Sequence, residues 1–212
     1  MLFRSGIYRE TSGHQINRSM DTYQRLFDKF RYDTNMRYRS QAWFQQQVLL
    51  LSKERITPNK LLNNSPSQNK AAIIPGNLYL YGYDPKHKTT LPYYDRYPLV
   101  FPFRRTQNGF IGLNMHYLAY PLRVKLLDRL QQFRNNDKMD GTTKLKLQWA
   151  LIDGVSRFSL AKPCVKEYLL DHVRSQFVKI NSRDWGTAML LPVERFVGSS
   201  KDVVWRESLG KI

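Results

Sequence analysis

Cysteine is almost missing from this chain, since Cys164 is the only one among 212 residues. A single thiol excludes an internal disulfide and any zinc site built from cysteines. The four histidines, His14, His87, His116 and His172, show no ligand spacing such as His-x-x-x-His. The sequence therefore predicts no metal site and no cofactor, in a protein that works among reduced proteins.

Long apolar runs are also absent. The longest aliphatic run, VLLL at 48–51, is far shorter than the roughly 20 residues that a membrane-spanning helix needs. The first ten residues, MLFRSGIYRE, lack the apolar core and the small-residue cleavage site of a secretory signal. We therefore expect a protein made in the cytoplasm with no membrane partner.

The sequence contains none of the common catalytic motifs: no phosphate-binding glycine loop, no Gly-x-Ser-x-Gly and no His-Glu-x-x-His. The best enzyme candidate is a metal-dependent nuclease, in which Asp84 and Asp95 would hold the metal and Lys88 would activate water. Prolines interrupt that spacing, and an aspartate before a proline more often closes a turn. We predict a protein that is not an enzyme and has no catalytic residues.

Acidic residues are scarce beside basic ones. There are 17 Asp and Glu against 34 Lys and Arg, which gives a net charge of +17 and a pI near 10.1. Such a charge is usually compensated by a polyanion, and nucleic acid is the first candidate. An acidic protein partner is the alternative. Basic residues occur along the whole chain, so they do not form a single disordered tail.

The pattern of residues predicts three parts. Residues 1–56 form an N-terminal arm with a long helix that begins near Asp21. Residues 57–72 are rich in Asn, Ser and Pro and read as a linker or a surface loop. Residues 73–212 form an α+β body, with strands at about 77–115, helices at about 121–190 and a C-terminal tail.

An aromatic block, GNLYLYGYDPKHKTTLPYYDRYPLVFPF, opens the body. Within residues 77–83 the leucines and the tyrosines alternate, so a strand would place Tyr79, Tyr81 and Tyr83 on one side. Those rings are either the core of a small sheet or a surface on which bases or another protein stack. We expect most of the rings to lie in the core and a few to form a contact surface.

A β-hairpin is predicted around Asn108-Gly109, which can supply the positive φ angles of a tight turn between strands near 98–105 and 110–115. Pro98 and Pro102 favour an edge strand, or a strand that begins at a bulge. With the preceding strand this makes a small curled antiparallel sheet or half-barrel.

Apolar residues recur at helical spacing in four later segments, which predicts a C-terminal cluster of short helices. The first helix begins at Pro121 and buries a stripe of leucines. The third begins at Pro163, and Ser182 caps the fourth. The predicted helices cover residues 121–134, 141–158, 163–177 and 183–191.

The candidate DNA-binding residues are cations that the pattern leaves off the apolar stripes. Two lie in the loop after the first strand, two lie at the hairpin tip, and four lie on the first body helix. They are Lys86, Lys88, Arg104, Arg105, Arg123, Lys125, Arg129 and Arg134.

Four strings carry a resemblance to a known family: IIPGNLYLYGYDPKHKTTLPYYDRYPLVFPF, GFIGLNMHYL, KPCVKEYLLDHVRS, and TAMLLPVERF after a tryptophan. Over about residues 20–210 the chain resembles a small basic virion protein of contractile-tailed bacteriophages, of the DNA end protector and head-completion group.

The resemblance implies a virion structural protein, made in the host cytoplasm, that binds the ends of packaged double-stranded DNA at the head or neck. Its other partners would be portal, neck or tail proteins in a multi-protein assembly. The alternative is an assembly protein of the neck, tail or baseplate that docks on acidic proteins without DNA contact. The resemblance supplies no site residues, so the candidates above rest on charge and exposure.

Overall fold

The computed structural model describes residues 73–210, and the predicted arm and linker lie outside these residues. The described chain is α+β, as predicted. Its seven strands are β1 (Leu78–Leu80), β2 (Tyr94–Asp95), β3 (Leu99–Arg105), β4 (Gly109–Asn114), β5 (Val165–Leu169), β6 (Val178–Ile180) and β7 (Phe196–Val197). Its α-helices are α1 (Tyr120–Arg134), α2 (Gly141–Ser156), α3 (Trp185–Leu190) and α4 (Lys201–Gly210).

Five of the strands form one antiparallel sheet in the order β5-β4-β3-β1-β6, and β2 pairs with β7 in a separate ribbon. The predicted alternation of leucines and tyrosines between the two sides of residues 78–83 is confirmed. Leu78 and Leu80 belong to the core cluster shared with the helices, whereas Tyr79, Tyr81 and Tyr83 belong to a second cluster with Phe177. Both faces of the sheet are therefore covered, and this row of tyrosines is core.

The β3–β4 hairpin forms where it was predicted, but its glycine has a different role. Gly109 does not have a positive φ, and the Thr106 N–H donates to the Gly109 carbonyl across the turn (3.0 Å). A Cβ at position 109 would lie 1.9 Å from the carbonyl oxygen of Tyr168 on β5. Glycine is needed here because two strands approach closely, which the local sequence does not indicate.

The prolines suggested an edge strand or a bulge, and the bulge is what the structure contains. Strand β3 lies in the interior of the sheet, between β4 and β1. The register with β4 shifts between Pro102 and Arg104, and β1 pairs only with Leu99 and Val100. The missing N–H of Pro102 is tolerated because the ladder with β1 has already ended at that position.

The predicted helix over 163–177 is wrong. Residues 165–169 form β5, which pairs with residues 109–113 of β4, and a 3₁₀ turn over Leu170–His172 follows before β6. Val165, Leu169 and Val173 fit helical spacing, but they fit extended backbone equally well. The exposed edge of β4 decided between the two, because its unpaired backbone groups required a partner strand.

The other three predicted helices are present. Asp140 caps α2 by accepting from the backbone N–H groups of Thr142 and Thr143. The fourth starts as a 3₁₀ turn whose N-cap is Asn181 and not Ser182, without a side-chain cap bond. Helix α4 was not predicted; its Val204 and Trp205 are buried, so the region called a tail contributes to the core.

Candidate nucleic-acid interface

Arg123 was a candidate for DNA contact, and the structure places it inside the protein with no exposed surface. Its guanidinium donates to the carbonyls of Leu118 (2.7 Å), Met189 (2.9 Å) and His116 (3.1 Å). The same group lies over the ring of Tyr120. These three hydrogen bonds lie within the fold and the side chain has no exposed surface, so Arg123 is removed from the candidate interface.

A buried carboxylate, Glu194, accompanies Arg123, and their charged groups are 3.8 Å apart. Burial opposes ionisation of this carboxyl, but the nearby Arg123, His116 and Lys201 hold the pKa of Glu194 below its usual value. Tyr120 donates its hydroxyl to the same carboxylate (2.9 Å). The cluster joins α1 to the segment before β7 and to the start of α4.

Four of the predicted cations are exposed and positioned by ordered elements. Arg104 and Arg105 lie at the end of β3 beside the hairpin turn, and Arg105 also donates to the Ile73 carbonyl (3.0 Å). Lys125 and Arg129 lie one turn apart on the solvent side of α1. The leucine stripe of α1 packs into the core and so holds these two cations outward.

Two further candidates are partly engaged. Lys88 pairs with Asp84 (3.0 Å), and that hydrogen bond holds the pKa of the Asp84 carboxyl below its usual value. Arg134 is half-buried and donates to the carbonyl of Ser182 (2.9 Å). Lys86 is exposed and lines a cleft. The eight predicted residues thus divide among a loop, a hairpin, a helix surface and the core.

The cleft has a volume of about 360 Å³ and lies between the segment after β1 and strand β5. Most of its lining is aromatic or apolar, with cations on both sides. It is lined by Tyr83, Pro85, Lys86, His87, Leu91, Tyr93, Tyr94, Asp95, Tyr117 and residues 166–169.

Rings and cations are in direct contact in this cleft. The ammonium of Lys166 lies 4.5 Å from the centroid of the Tyr117 ring. Tyr93 donates its hydroxyl to Glu207 (2.9 Å), and burial together with that carboxylate raises the pKa of Tyr93 to about 12. Tyr93 and Tyr94 are half-buried, so these two rings of the cleft keep accessible surface, whereas Tyr79, Tyr81 and Tyr83 are buried.

Sequence reasoning missed Lys166 because it assigned residues 163–177 to a helix. Residues 165–169 read VKEYL, in which apolar and polar residues do not alternate, so the segment shows no clear strand pattern. Its apolar residues at helical spacing favoured the helix.

The two aspartates of the nuclease hypothesis do not act together. Asp84 is occupied by Lys88, whereas Asp95 is buried and bonded to Asn114 (3.1 Å) and to the His116 ring (2.7 Å). Within residues 73–210, no group of three or more His, Cys, Asp or Glu side chains is placed to hold a metal ion. These aspartates therefore lend the nuclease hypothesis no support.

Cys164 is fully buried, and burial raises the pKa of its thiol to about 12. A thiol with a raised pKa is a poor nucleophile, so this residue packs as a small apolar side chain. None of the helices between residues 73 and 210 is long and apolar enough to cross a membrane.

The exposed arginines and lysines and the aromatic cleft have the composition of polyanion-binding surfaces. Residues 11–208 match the family described as Phage T4 terminal DNA protecting protein, and the chain belongs to this family. The predicted relationship to phage DNA end protectors is thereby confirmed. A search of curated proteins and a search of solved structures each found no match.

Proposed function

We propose that this protein is a structural component of the phage particle that binds double-stranded DNA and protects the ends of packaged DNA at the head or neck. It acts by occupying the DNA end and catalyses no reaction. Its neighbours in the particle are portal, neck or tail proteins. Membership of a family named for terminal DNA protection supports this function, and so does the net charge of +17.

The observation that carries the proposal is the contrast between buried and exposed cations. Arg104, Arg105, Lys125 and Arg129 are all exposed, and each lies on a hairpin or helix that the core holds in place. Exposed cations on ordered elements release counterions from phosphates on binding, and this is the main source of affinity for duplex DNA. We assign the duplex contact to these four residues.

The test is a salt titration of the full chain with a short duplex. Log affinity falls linearly with log salt if phosphates are contacted, and we expect a steep slope between about 50 and 200 mM salt. Replacing Arg104, Arg105, Lys125 and Arg129 together with Gln should lower affinity at least about tenfold and reduce the slope by up to about four units.

The matched control neutralises four other exposed lysines, namely Lys138, Lys146, Lys162 and Lys179. It removes the same charge, so a surface-specific contact predicts a much smaller loss of affinity. Equal losses in the two variants would assign binding to overall charge. Absence of any salt-dependent DNA binding would favour an assembly protein that docks on acidic partners.

The position of the protein in an assembled particle is a second test. Density beside the portal or the DNA terminus is the expected result. A position far down the tail would contradict a role at DNA ends.

A further inference from the structure

We propose that the cleft between residues 83–95 and β5 binds an unpaired nucleotide at the end of a DNA strand, with its base against tyrosine rings and its phosphate near lysines. This inference rests on the proposed function, because it assumes that DNA is the partner. It adds a site, distinct from the four duplex-contacting cations, and a chemical preference for a single-stranded terminus.

The first argument is the chemistry of the side chains that line the cleft. Tyr93 and Tyr94 are half-buried, so part of each side chain stays accessible, whereas Tyr79 and Tyr81 of the sheet are at most 1% exposed. Leu91, at the same cleft, is 41% exposed although it is a large apolar side chain. Accessible rings and an exposed leucine favour a flat, apolar occupant such as a base, since every base offers a face for stacking.

The second argument is the placement of charge. Lys86 and His87 line the cleft from the loop side, and Lys166 lines it from β5. Of the two carboxylates in the lining, Asp95 is buried and bonded to Asn114 and His116, which leaves Glu167 as the exposed acid. The lining thus carries two lysines and one exposed carboxylate, a balance that favours a ligand with a phosphate group.

The third argument is size. A volume of about 360 Å³ lies at the small end of the range of about 300–1,000 Å³ typical of small-molecule sites. Such a cleft accepts one nucleotide but not a base-paired duplex. Bases inside a duplex are stacked and paired, so only an unpaired nucleotide can offer both a base face and a phosphate.

The loop that carries Lys86 and His87 is ordered by its own hydrogen bonds. The Lys88 N–H donates to the Pro85 carbonyl, and the N–H groups of Thr90 and Leu91 both donate to the His87 carbonyl. Asp84 is held by Lys88 on the other side of Pro85. The loop side of the cleft is thus formed before any ligand arrives, which lowers the entropic cost of binding.

The experiment measures full-chain affinity for three DNA probes of the same duplex sequence. One is closed by hairpin loops at both ends, one has a single open end with a short overhang, and one has that overhang made of abasic nucleotides. We expect the base-containing overhang to bind about tenfold more tightly than the closed duplex. The abasic overhang should lose most of that preference because it offers phosphate without a base.

Two variants test whether the cleft produces the preference for the base-containing overhang. Tyr94→Ala and Lys166→Gln should each bring the ratio of overhang to closed-duplex affinity toward one. Tyr94→Phe keeps the ring and should keep the ratio. The fourfold variant of the duplex contact should weaken binding to all three probes and leave the ratio unaltered, so the two sites are separated.

Several results would overturn the inference. If the wild-type protein binds the closed duplex and the overhang equally, the cleft proposal fails while duplex binding stands. If no probe binds, the proposed function fails and the cleft proposal falls with it. If a free deoxynucleoside monophosphate at micromolar concentration abolishes the preference, the ligand is a free nucleotide and not a DNA end.

Discussion

Helix α1 carries both a buried arginine and an exposed one, and the comparison between them separates a role in the core from a position on the surface. Arg123 faces inward, has no exposed surface and gives its N–H groups to three backbone carbonyls. Arg129 lies on the same helix and is exposed to solvent. Two residues of one type, less than two turns apart, therefore have opposite surroundings. A net charge counts both, but only exposed cations can contact DNA.

The same contrast holds between the interior and the exterior of the whole body. The interior contains polar groups bonded to one another, such as Asn114, which donates to Asp95 and to the Tyr168 hydroxyl. Such groups stabilise the fold because an unpaired buried polar atom would be costly. The exterior cations have little effect on stability, since isolated surface charges contribute at most about 1 kcal/mol. Substitutions in the two regions should therefore affect different measurements.

The largest expected effect comes from Arg123→Gln. It leaves the Glu194 carboxylate buried without its main cation and removes up to three hydrogen bonds. We expect the free energy of unfolding to fall by about 3–5 kcal/mol. Urea unfolding measures this. Arg129→Gln is the matched control on the same helix and should change stability by less than about 0.5 kcal/mol. If the two substitutions lowered the free energy of unfolding equally, the proposed difference between Arg123 and Arg129 would be wrong.

The next effect comes from a close approach between strands. In Gly109→Ala the added methyl group would meet the Tyr168 carbonyl at 1.9 Å, so β5 must shift away from β4. We expect a loss of about 3 kcal/mol, at the upper end of the usual range for overpacking. Gly154→Ala on α2 is the control, because nothing lies within 4 Å of its added Cβ. It should stabilise the protein by about 0.5–1 kcal/mol. A tolerated alanine at 109 would show that the sheet is less tightly packed than the structure indicates.

Alkaline pH should destabilise the interior through Cys164. Its thiol has an ordinary pKa of 9.0 and a folded-state pKa of about 12. Between these values the unfolded chain releases the proton and the folded chain retains it, so stability falls as pH rises. At pH 10.5 the loss is on the order of 2 kcal/mol. Urea unfolding at pH 8 and 10.5 should show a smaller decrease for Cys164→Ala than for the wild type. The buried tyrosines are common to both proteins, so identical decreases would contradict the assignment to Cys164.

The smallest expected effect on stability concerns two buried tyrosines, Tyr168 and Tyr81, whose hydroxyl groups differ in hydrogen bonding. The Tyr168 hydroxyl accepts from the Asn114 amide (2.9 Å), whereas the Tyr81 hydroxyl is buried without a hydrogen-bond partner. Tyr168→Phe should cost about 1–2 kcal/mol because it leaves a buried donor without that acceptor. Tyr81→Phe should be neutral or slightly stabilising, since it removes an unsatisfied hydroxyl. Thermal or urea unfolding measures both, and a large loss for Tyr81→Phe would mean that its hydroxyl has a partner.

The local sequence pattern was sufficient to predict an element wherever the backbone hydrogen bonds of that element lie within it or within one hairpin. The helices that became α1 and α2 were predicted because apolar residues recur every three or four positions and the backbone bonds lie within the element. The β3–β4 hairpin was predicted because its two strands are joined by a short turn. The alternating leucines and tyrosines of 78–83 predicted correctly which residues share a face of the sheet. Exposure of Lys125 and Arg129 followed from the leucine stripe.

The sequence by itself thus determined the α+β class, the hairpin, two long helices and a strongly basic surface, because each depends on residues close together in the chain. Tertiary structure alone decided the rest. The free edge of β4 turned residues 165–169 into a strand, and the carbonyls of Leu118, His116 and Met189 converged to enclose Arg123. The cleft exists because Tyr93 and Lys166, 73 positions apart in the sequence, are brought together across the fold. Contacts between distant residues depend on the packing of the whole chain, so no local pattern encodes them.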